Sequence, residues 1–318
     1  MKDKDCHDDS KLSKPASFSN IHHSSTLYIT SAFIAMAPLV WLVTGCSSGF
    51  GLDFVNEILS RGDKVIATAR RLESLEDLKK TGAAVLQLDV TWDQERINET
   101  FKNAIQIYGQ LDVLINNAAY VLGGAWEDLS YEQFHDAFET NVFGPLKTTK
   151  AVLPHFRERK TGMNVFISSI SGWSGMQFNG GYSGTKFALE GMVESLNKEV
   201  RDLGIRTLLI EPGFFRTDLL SQANLKTVES SIPDYKEASK GFNKLLQEKN
   251  HAQSGDPKKG VAIVVDLVRQ EGTAKGKTIP VRMPLGPDGY EVIKNKCDKT
   301  IRILEEWKDV ISSTDLVE

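Results

Sequence analysis

Leu39-Val40-Trp41-Leu42-Val43-Thr44-Gly45-Cys46-Ser47-Ser48-Gly49-Phe50-Gly51 carries the pattern from which the architecture of the chain follows. Five apolar residues run into a turn of glycines and serines, and an amphipathic segment from Gly51 to Ser60 follows. So short an apolar run, bounded by turn residues, reads as a strand buried on both faces. A strand, a glycine turn and a helix start in succession let the backbone approach a pyrophosphate seated on the helix N-terminus. Gly45, Ser47, Ser48, Gly49, Phe50 and Gly51 are therefore the candidate phosphate-side residues of a dinucleotide site.

Outward from that turn, apolar runs alternate with amphipathic ones. Strands are expected at Leu39–Thr44, Lys64–Ala69, Ala84–Leu88, Leu111–Asn116, Asn164–Ser168, Arg206–Glu211 and Thr278–Met283. Helices are expected at Gly51–Ser60, Glu73–Lys80, Asp93–Tyr108, Tyr131–Arg157 and Gly184–Leu203, with another over 257–271 and a terminal one over 287–310. This alternation specifies an α/β fold, a Rossmann-type doubly wound parallel sheet of about seven strands with helices on both faces. Residues 214–253 are longer than a connection requires and are expected to form a mobile flap over the substrate. No linker divides residues 37–318, which are read as a single NADP-binding domain. Residues 1–36 are read as an extension, disordered through its polar part, with Met36 the expected natural start.

With 41% hydrophobic and 25% charged residues, the chain is expected to be a soluble globular protein. A net charge of −4 argues against a general nucleic-acid-binding surface. Cys6, Cys46 and Cys297 are scattered and odd in number, which fits a reducing, cytoplasmic setting. No Cys-x-x-Cys or His-x-x-x-His occurs, so no metal site is expected. Leu27–Val43 is uncharged, but its last five residues belong to the first strand, and the remainder falls short of the ~20 apolar residues a spanning helix needs.

Later strand ends point to the same crevice. The second ends Ala69-Arg70-Arg71, a small residue where an acid would hold the ribose of NAD, followed by guanidinium groups suited to a 2′-phosphate. NADP is favoured over NAD, with Arg70 the candidate ligand. Asp89 and Val90 end the third strand, where an acid can meet the adenine amine and an apolar side chain can cover the ring. Asn117 follows the fourth.

Tyr182 and Lys186 are spaced i, i+4, one turn apart on a helix. A free phenol titrates near ~10, and an ammonium one turn away favours the phenolate, which makes Tyr182 a usable general acid/base. The same pattern recurs at Tyr290 and Lys294, so spacing alone does not select between the two.

Thr44 to Gly51, Asn116-Asn117-Ala118, Asn141, Ser169, Tyr182-x-x-x-Lys186 and Pro212-Gly213-Phe214-Phe215-Arg216-Thr217 stand in the order and spacing of the short-chain dehydrogenases/reductases. Over about residues 39–285 the chain resembles their single-domain branch, in particular the 17β-hydroxysteroid-dehydrogenase-like members. The resemblance implies that Tyr182 exchanges the proton and that Lys186 lowers its pKa and holds the nicotinamide ribose. It implies that Ser169 bonds the substrate oxygen and that Asn141 holds a relay water. Thr217 and the backbone of Phe215 would grip the carboxamide. Ser169 stands thirteen residues before Tyr182, whereas Lys277 occupies that position before Tyr290, so Tyr290 and Lys294 are read as surface residues. Ala119, where the family has glycine, is the one departure within the matched motifs.

Trp173, Met176, Phe178 and Phe214 are expected to line the substrate side, an apolar aromatic wall suited to a lipophilic ketone, aldehyde or alcohol. With NADP, reduction is the expected direction. A non-catalytic NADP-binding sensor or scaffold on the same fold is the alternative, and the presence of Asn141, Ser169, Tyr182 and Lys186 together argues against it. The resemblance also implies a homo-oligomer, dimer or tetramer, joined through helices that carry Ala188, Leu189, Met192, Val193 and Leu196.

Overall fold

The computed structural model describes residues 37–316. The expectations placed on residues 1–36, Met36 as a start among them, lie outside the described residues.

The described chain begins with β1 (Val40–Val43), α1 (Gly49–Ser60), β2 (Lys64–Ala69), α2 (Glu76–Lys80), β3 (Ala84–Gln87), α3 (Gln94–Tyr108) and β4 (Val113–Asn116). Next come β5 (Val121–Gly123), α4 (Tyr131–Phe138), α5 (Gly144–Arg159), β6 (Gly162–Ile167), α6 (Gly180–Val200) and β7 (Ile205–Pro212). The rest is β8 (Leu225–Thr227), α7 (Pro233–Lys249), α8 (Pro257–Arg269), β9 (Arg282–Leu285), α9 (Pro287–Glu306) and α10 (Lys308–Ser312). Seven strands make one sheet in the order β3-β2-β1-β4-β6-β7-β9, every pairing parallel. The doubly wound parallel sheet expected from the alternation is therefore present. Strand order reverses between β1 and β4, which opens a crevice at their carboxyl ends.

The strands bury both faces because helices cover both. Trp41, Val43, Val65, Val113 and Ile115 pack against Phe54, Val55 and Ile58 of α1 and Val261, Val264, Val265 and Val268 of α8, whose spacing follows the helical period. On the opposite face Val40, Leu42, Ile66 and Leu114 meet Ile97, Phe101 and Ala104 of α3 and Val152 and Phe156 of α5. Trp41 keeps its buried indole N–H satisfied by donating to Asp63 Oδ2 at 2.9 Å.

Three elements depart from the sequence expectation. The helix expected over Tyr131–Arg157 is interrupted by a π-turn at Glu139–Phe143. Pro145 has no N–H to donate to the carbonyl of Asn141 four residues back, so the α-helical ladder cannot run through. The last strand lies at Arg282–Leu285 rather than Thr278–Met283. Pro280 cannot donate to a ladder, and Pro284 is tolerated because β9 is an edge strand. Residues 214–253 hold a 3₁₀ turn (Asp218–Leu220), β8 and α7, and β8 pairs in parallel with β5 in a small second sheet, a strand pair the sequence reading did not contain.

Candidate active site

The carboxyl ends of the central strands surround a cleft of about 460 Å³. At its floor Gly45 holds a φ of 72°, where an L side chain would be strained, and a Cβ on Gly51 would lie 2.1 Å from the Gly45 carbonyl oxygen. Gly51 does not line the cleft; it lets the turn close. Thr44 Oγ1 accepts from the Asn117 and Ala118 N–H groups at 2.9 and 3.0 Å, and Asn117 Nδ2 donates to the carbonyl oxygens of Thr44 and Gly45. These bonds lock the end of β4 onto the turn. No acidic side chain occupies the first turn of α1, so its positive end is available to an anion.

Gly45, Ser47, Ser48, Gly49, Phe50, Arg70, Asp89, Val90, Asn117, Phe215 and Thr217 all line this cleft, as do Ser169, Tyr182 and Lys186. The Phe215 ring packs on Phe50 with centroids 5.3 Å apart. Asp89 Oδ1 is engaged in its own turn, accepting from the Thr91 N–H at 3.0 Å and hydroxyl at 2.8 Å. The flap-side residues Asn224 and Lys226 also line the cleft and were not foreseen, because their place depends on the β5–β8 pairing. A glycine turn that only glycine can close, an open helix N-terminus and a guanidinium at the end of β2 together fit a dinucleotide.

Ser169 and Tyr182 line both this cleft and a second cavity of about 320 Å³. α6 begins at Gly180, earlier than the expected Gly184, and this puts Tyr182 in its first turn. Lys186 is one turn on, 2% exposed, with Nζ donating to the Ile167 carbonyl at 2.7 Å and 5.5 Å from the centre of the Tyr182 ring. The two adjacent serines diverge. Ser168 donates to Glu190 Oε1 at 2.6 Å, while Ser169 Oγ accepts from the Ser171 N–H and borders both cavities. Tyr290 is 60% exposed and Lys294 pairs with Asp298, so the second Tyr-x-x-x-Lys is a surface feature.

The electrostatics correct one expectation. Burial pushes the Tyr182 phenol up to about 12, with the Ser169 hydroxyl acting against it, instead of Lys186 bringing it down. Burial also lowers Lys186 to about 8, opposed by the charge of Glu190. In this structure desolvation outweighs the attraction of the pair.

Asn141 is a second departure. It is buried and lines neither cavity; its amide bonds both backbone groups of Tyr120, at 3.1 and 2.9 Å, and Thr185 Oγ1 at 3.2 Å. It ties the π-turn to α6. On the substrate side Met176 and Phe214 line the second cavity, and Trp173 and Phe178 do not. Trp173 lies against the Arg282 guanidinium at 4.2 Å, and Phe178 packs among Val121, Tyr182 and Phe242. Val121, Ile170, Leu220 and Leu246 add apolar surface to the wall, Ser171, Ser174, Asn179 and Gln253 add polar groups, and Val292 of α9 also lines it. Val292 was not foreseen, since nothing in the sequence brings the start of α9 beside Tyr182.

Behind the site, Arg282 of β9 reaches three carboxylates: Glu190 and Glu194 of α6 and Glu211 of β7. Burial raises Glu190 to about 7, the Ser168 hydroxyl acting in the other direction. Among the described residues no group of three His, Cys, Asp or Glu could hold a metal ion, and no helix is long and apolar enough to cross a membrane.

A family model described as short chain dehydrogenase matches residues 39–227. The chain is 39% identical over 261 residues to an uncharacterized oxidoreductase of Bacillus subtilis, YusZ, covering 79% of this chain and 90% of that one. It is 33% identical over 252 residues to a 3-ketodihydrosphingosine reductase of Bacteroides thetaiotaomicron, covering 79% and 89% of the two chains. The solved structure of a short-chain dehydrogenase from Streptomyces avermitilis superposes with a TM-score of 0.79 at 38% identity, covering 88% of this chain and 99% of that one.

Proposed function

The chain belongs to the short-chain dehydrogenase family, oxidoreductases on a nucleotide-binding Rossmann-type fold, and from that premise we propose that it interconverts a lipophilic ketone or aldehyde and its alcohol with NADP(H), running as a reductase. The observation that carries this reading is the shared wall. Ser169 and Tyr182 border the dinucleotide cleft and the apolar cavity at once, with Lys186 one turn below.

The cofactor supplies or accepts the hydride when bound. Ser169 Oγ orients the substrate oxygen, and the Tyr182 hydroxyl gives it a proton in reduction and takes one back in oxidation. With its phenol at about 12, Tyr182 holds its proton across the neutral range, the state that reduction requires. Lys186, held by the Ile167 carbonyl, keeps a positive charge beside that proton transfer and would hold the nicotinamide ribose when the cofactor is bound. Asn141 acts through structure, holding Tyr120 and Thr185 so that the cleft and α6 keep their register. The apolar lining of the second cavity supports a lipophilic substrate, and the sphingoid-lipid reductase among the relatives supports the same class. The reading is tested by following NADPH oxidation over lipophilic ketones and aldehydes; no turnover of any of them would sink it.

Arg70 borders the cleft at the end of β2 beside Ala69, and this supports the 2′-phosphate of NADP over the hydroxyl of NAD. The double variant Ala69→Asp/Arg70→Ala is expected to lower the NADP/NAD ratio of kcat/KM by about a hundredfold, the loss of a charge-assisted pair plus a new repulsion. An unchanged ratio refutes the assignment. Phe143, Leu146, Phe187 and Met192 are exposed on α5, α6 and the turn before them, which supports a homo-oligomer through these helices. Leu189 and Val193, expected on that face, pack instead against Phe166 and Leu209 of the sheet.

A further inference from the structure

The second cavity is apolar along most of its wall, and no Lys, Arg, His, Asp or Glu side chain lines it. Beside Ser169 and Tyr182, the polar residues of its wall are Ser171, Ser174, Asn179 and Gln253; the Asn179 amide donates to Ser171 and Ser183, whereas the Gln253 carboxamide oxygen has no partner. Gln253 lines this cavity and not the dinucleotide cleft. It is 3% exposed, and its carboxamide oxygen is buried with no hydrogen-bond partner. An unpaired buried amide oxygen costs stability, and a leucine or methionine of similar size would avoid that cost.

The position is held firmly by its main chain. Arg216 Nε donates to the Gln253 carbonyl oxygen at 3.0 Å. Two residues on, Gly255 N–H donates to the Phe214 carbonyl at 3.1 Å and its own carbonyl accepts from the Arg216 N–H at 2.9 Å. The segment after α7 is thereby clamped to Phe214–Arg216, which carries two residues of the cavity wall. These bonds hold the backbone at Gln253 in the cavity wall, and the residue is 3% exposed.

We propose that Gln253 is a second recognition point of the substrate cavity, receiving a hydroxyl group on the lipophilic substrate away from the reacting carbon. The proposal rests on the carbonyl–alcohol reading of the site. A hydroxyl can donate to the carboxamide oxygen and accept from its NH₂ at once. A carboxylate, phosphate or ammonium is disfavoured, since no opposite charge lines the cavity to offset its burial. The substrate class is thus a hydroxylated lipophilic ketone or aldehyde, or the corresponding diol in oxidation.

The test compares a long-chain 2-alkanone with a series of the same alkanone bearing one hydroxyl at successive positions along the chain. The wild-type protein should prefer at least one hydroxylated member by about tenfold in kcat/KM, as sites built to bond a hydroxyl do. In Gln253→Leu that ratio should fall to near one, with a melting temperature equal to or above that of the wild type. No preference in the wild type, or a preference that survives in Gln253→Leu, overturns the proposal. Calorimetric binding of the same series to the full chain, with NADPH present, reads Gln253 without turnover. Tighter binding of a hydroxylated member that is lost in Gln253→Leu supports the subsite even where no ketone is reduced, an outcome that would overturn the proposed reaction alone.

Discussion

Tyr182→Phe is expected to lower kcat for ketone reduction by roughly a thousandfold, within the range removed with a positioned general acid. The substitution deletes one oxygen from a buried ring and keeps the packing against Val121 and Phe178. Cofactor binding should weaken by no more than about tenfold, the contribution of one neutral hydrogen bond. The melting temperature should hold, because the phenol makes no buried bond whose partner would be stranded other than Ser169, which borders both cavities. Turnover equal to that of the wild type would remove Tyr182 from the mechanism. The pH profile separates Tyr182 from Lys186. In reduction Tyr182 must be protonated, which holds up to about 12, whereas Lys186 loses its proton through about 8. The rate of reduction should therefore decline as pH rises through about 8, and this limb reports the lysine. Lys186→Arg, whose charge persists, should move the limb to higher pH even if the rate is lower throughout.

Most of what places this chemistry was legible before the structure because it is local. A strand, a glycine turn and a helix start are consecutive in sequence, and Tyr182 and Lys186 share a face by helical spacing alone. What escaped depends on contacts between distant segments. The family's spacing singles out Ser169 over Ser168 but could not show that Ser168 turns to Glu190, since that requires β6 and α6 to be in place. Trp173 looked like a substrate-facing aromatic and is instead the surface on which Arg282 lies, a pairing across 109 residues of chain that no periodicity reveals. The interruption at Asn141 did carry a local signal, Pro145 four residues on, which a continuous apolar pattern overrode. Helical spacing reveals the charge of Lys186 beside Tyr182 but not the burial of both groups, and burial is a property of the packed site.

The ion cluster behind the site contributes to stability through Arg282. Arg282→Leu should cost about 3 kcal/mol at pH 8, a drop of roughly 10 °C in melting temperature, because removing one member of a buried ion pair strands the others. Glu211 is fully buried, Glu190 nearly so, and both accept from the lost guanidinium. Glu194 is half exposed and should matter little. The effect should depend on pH with a definite sign. Glu190 binds its proton more tightly folded than unfolded, its pKa standing at about 7 against the ordinary 4.5. Between those values the folded chain holds more protons, so its stability falls as pH rises through the window. Without Arg282 the pull toward the ionised form is gone and the folded pKa rises further, so the loss extends above pH 7. The gap in melting temperature between wild type and Arg282→Leu should therefore widen from pH 5 to pH 8. A gap that is constant across this range would mean that Arg282 stabilises by packing on Trp173 and not by charge. Adding Glu190→Gln to Arg282→Leu should recover part of the loss at pH 8 and little at pH 5, where the single variant already carries the proton that the glutamine imitates.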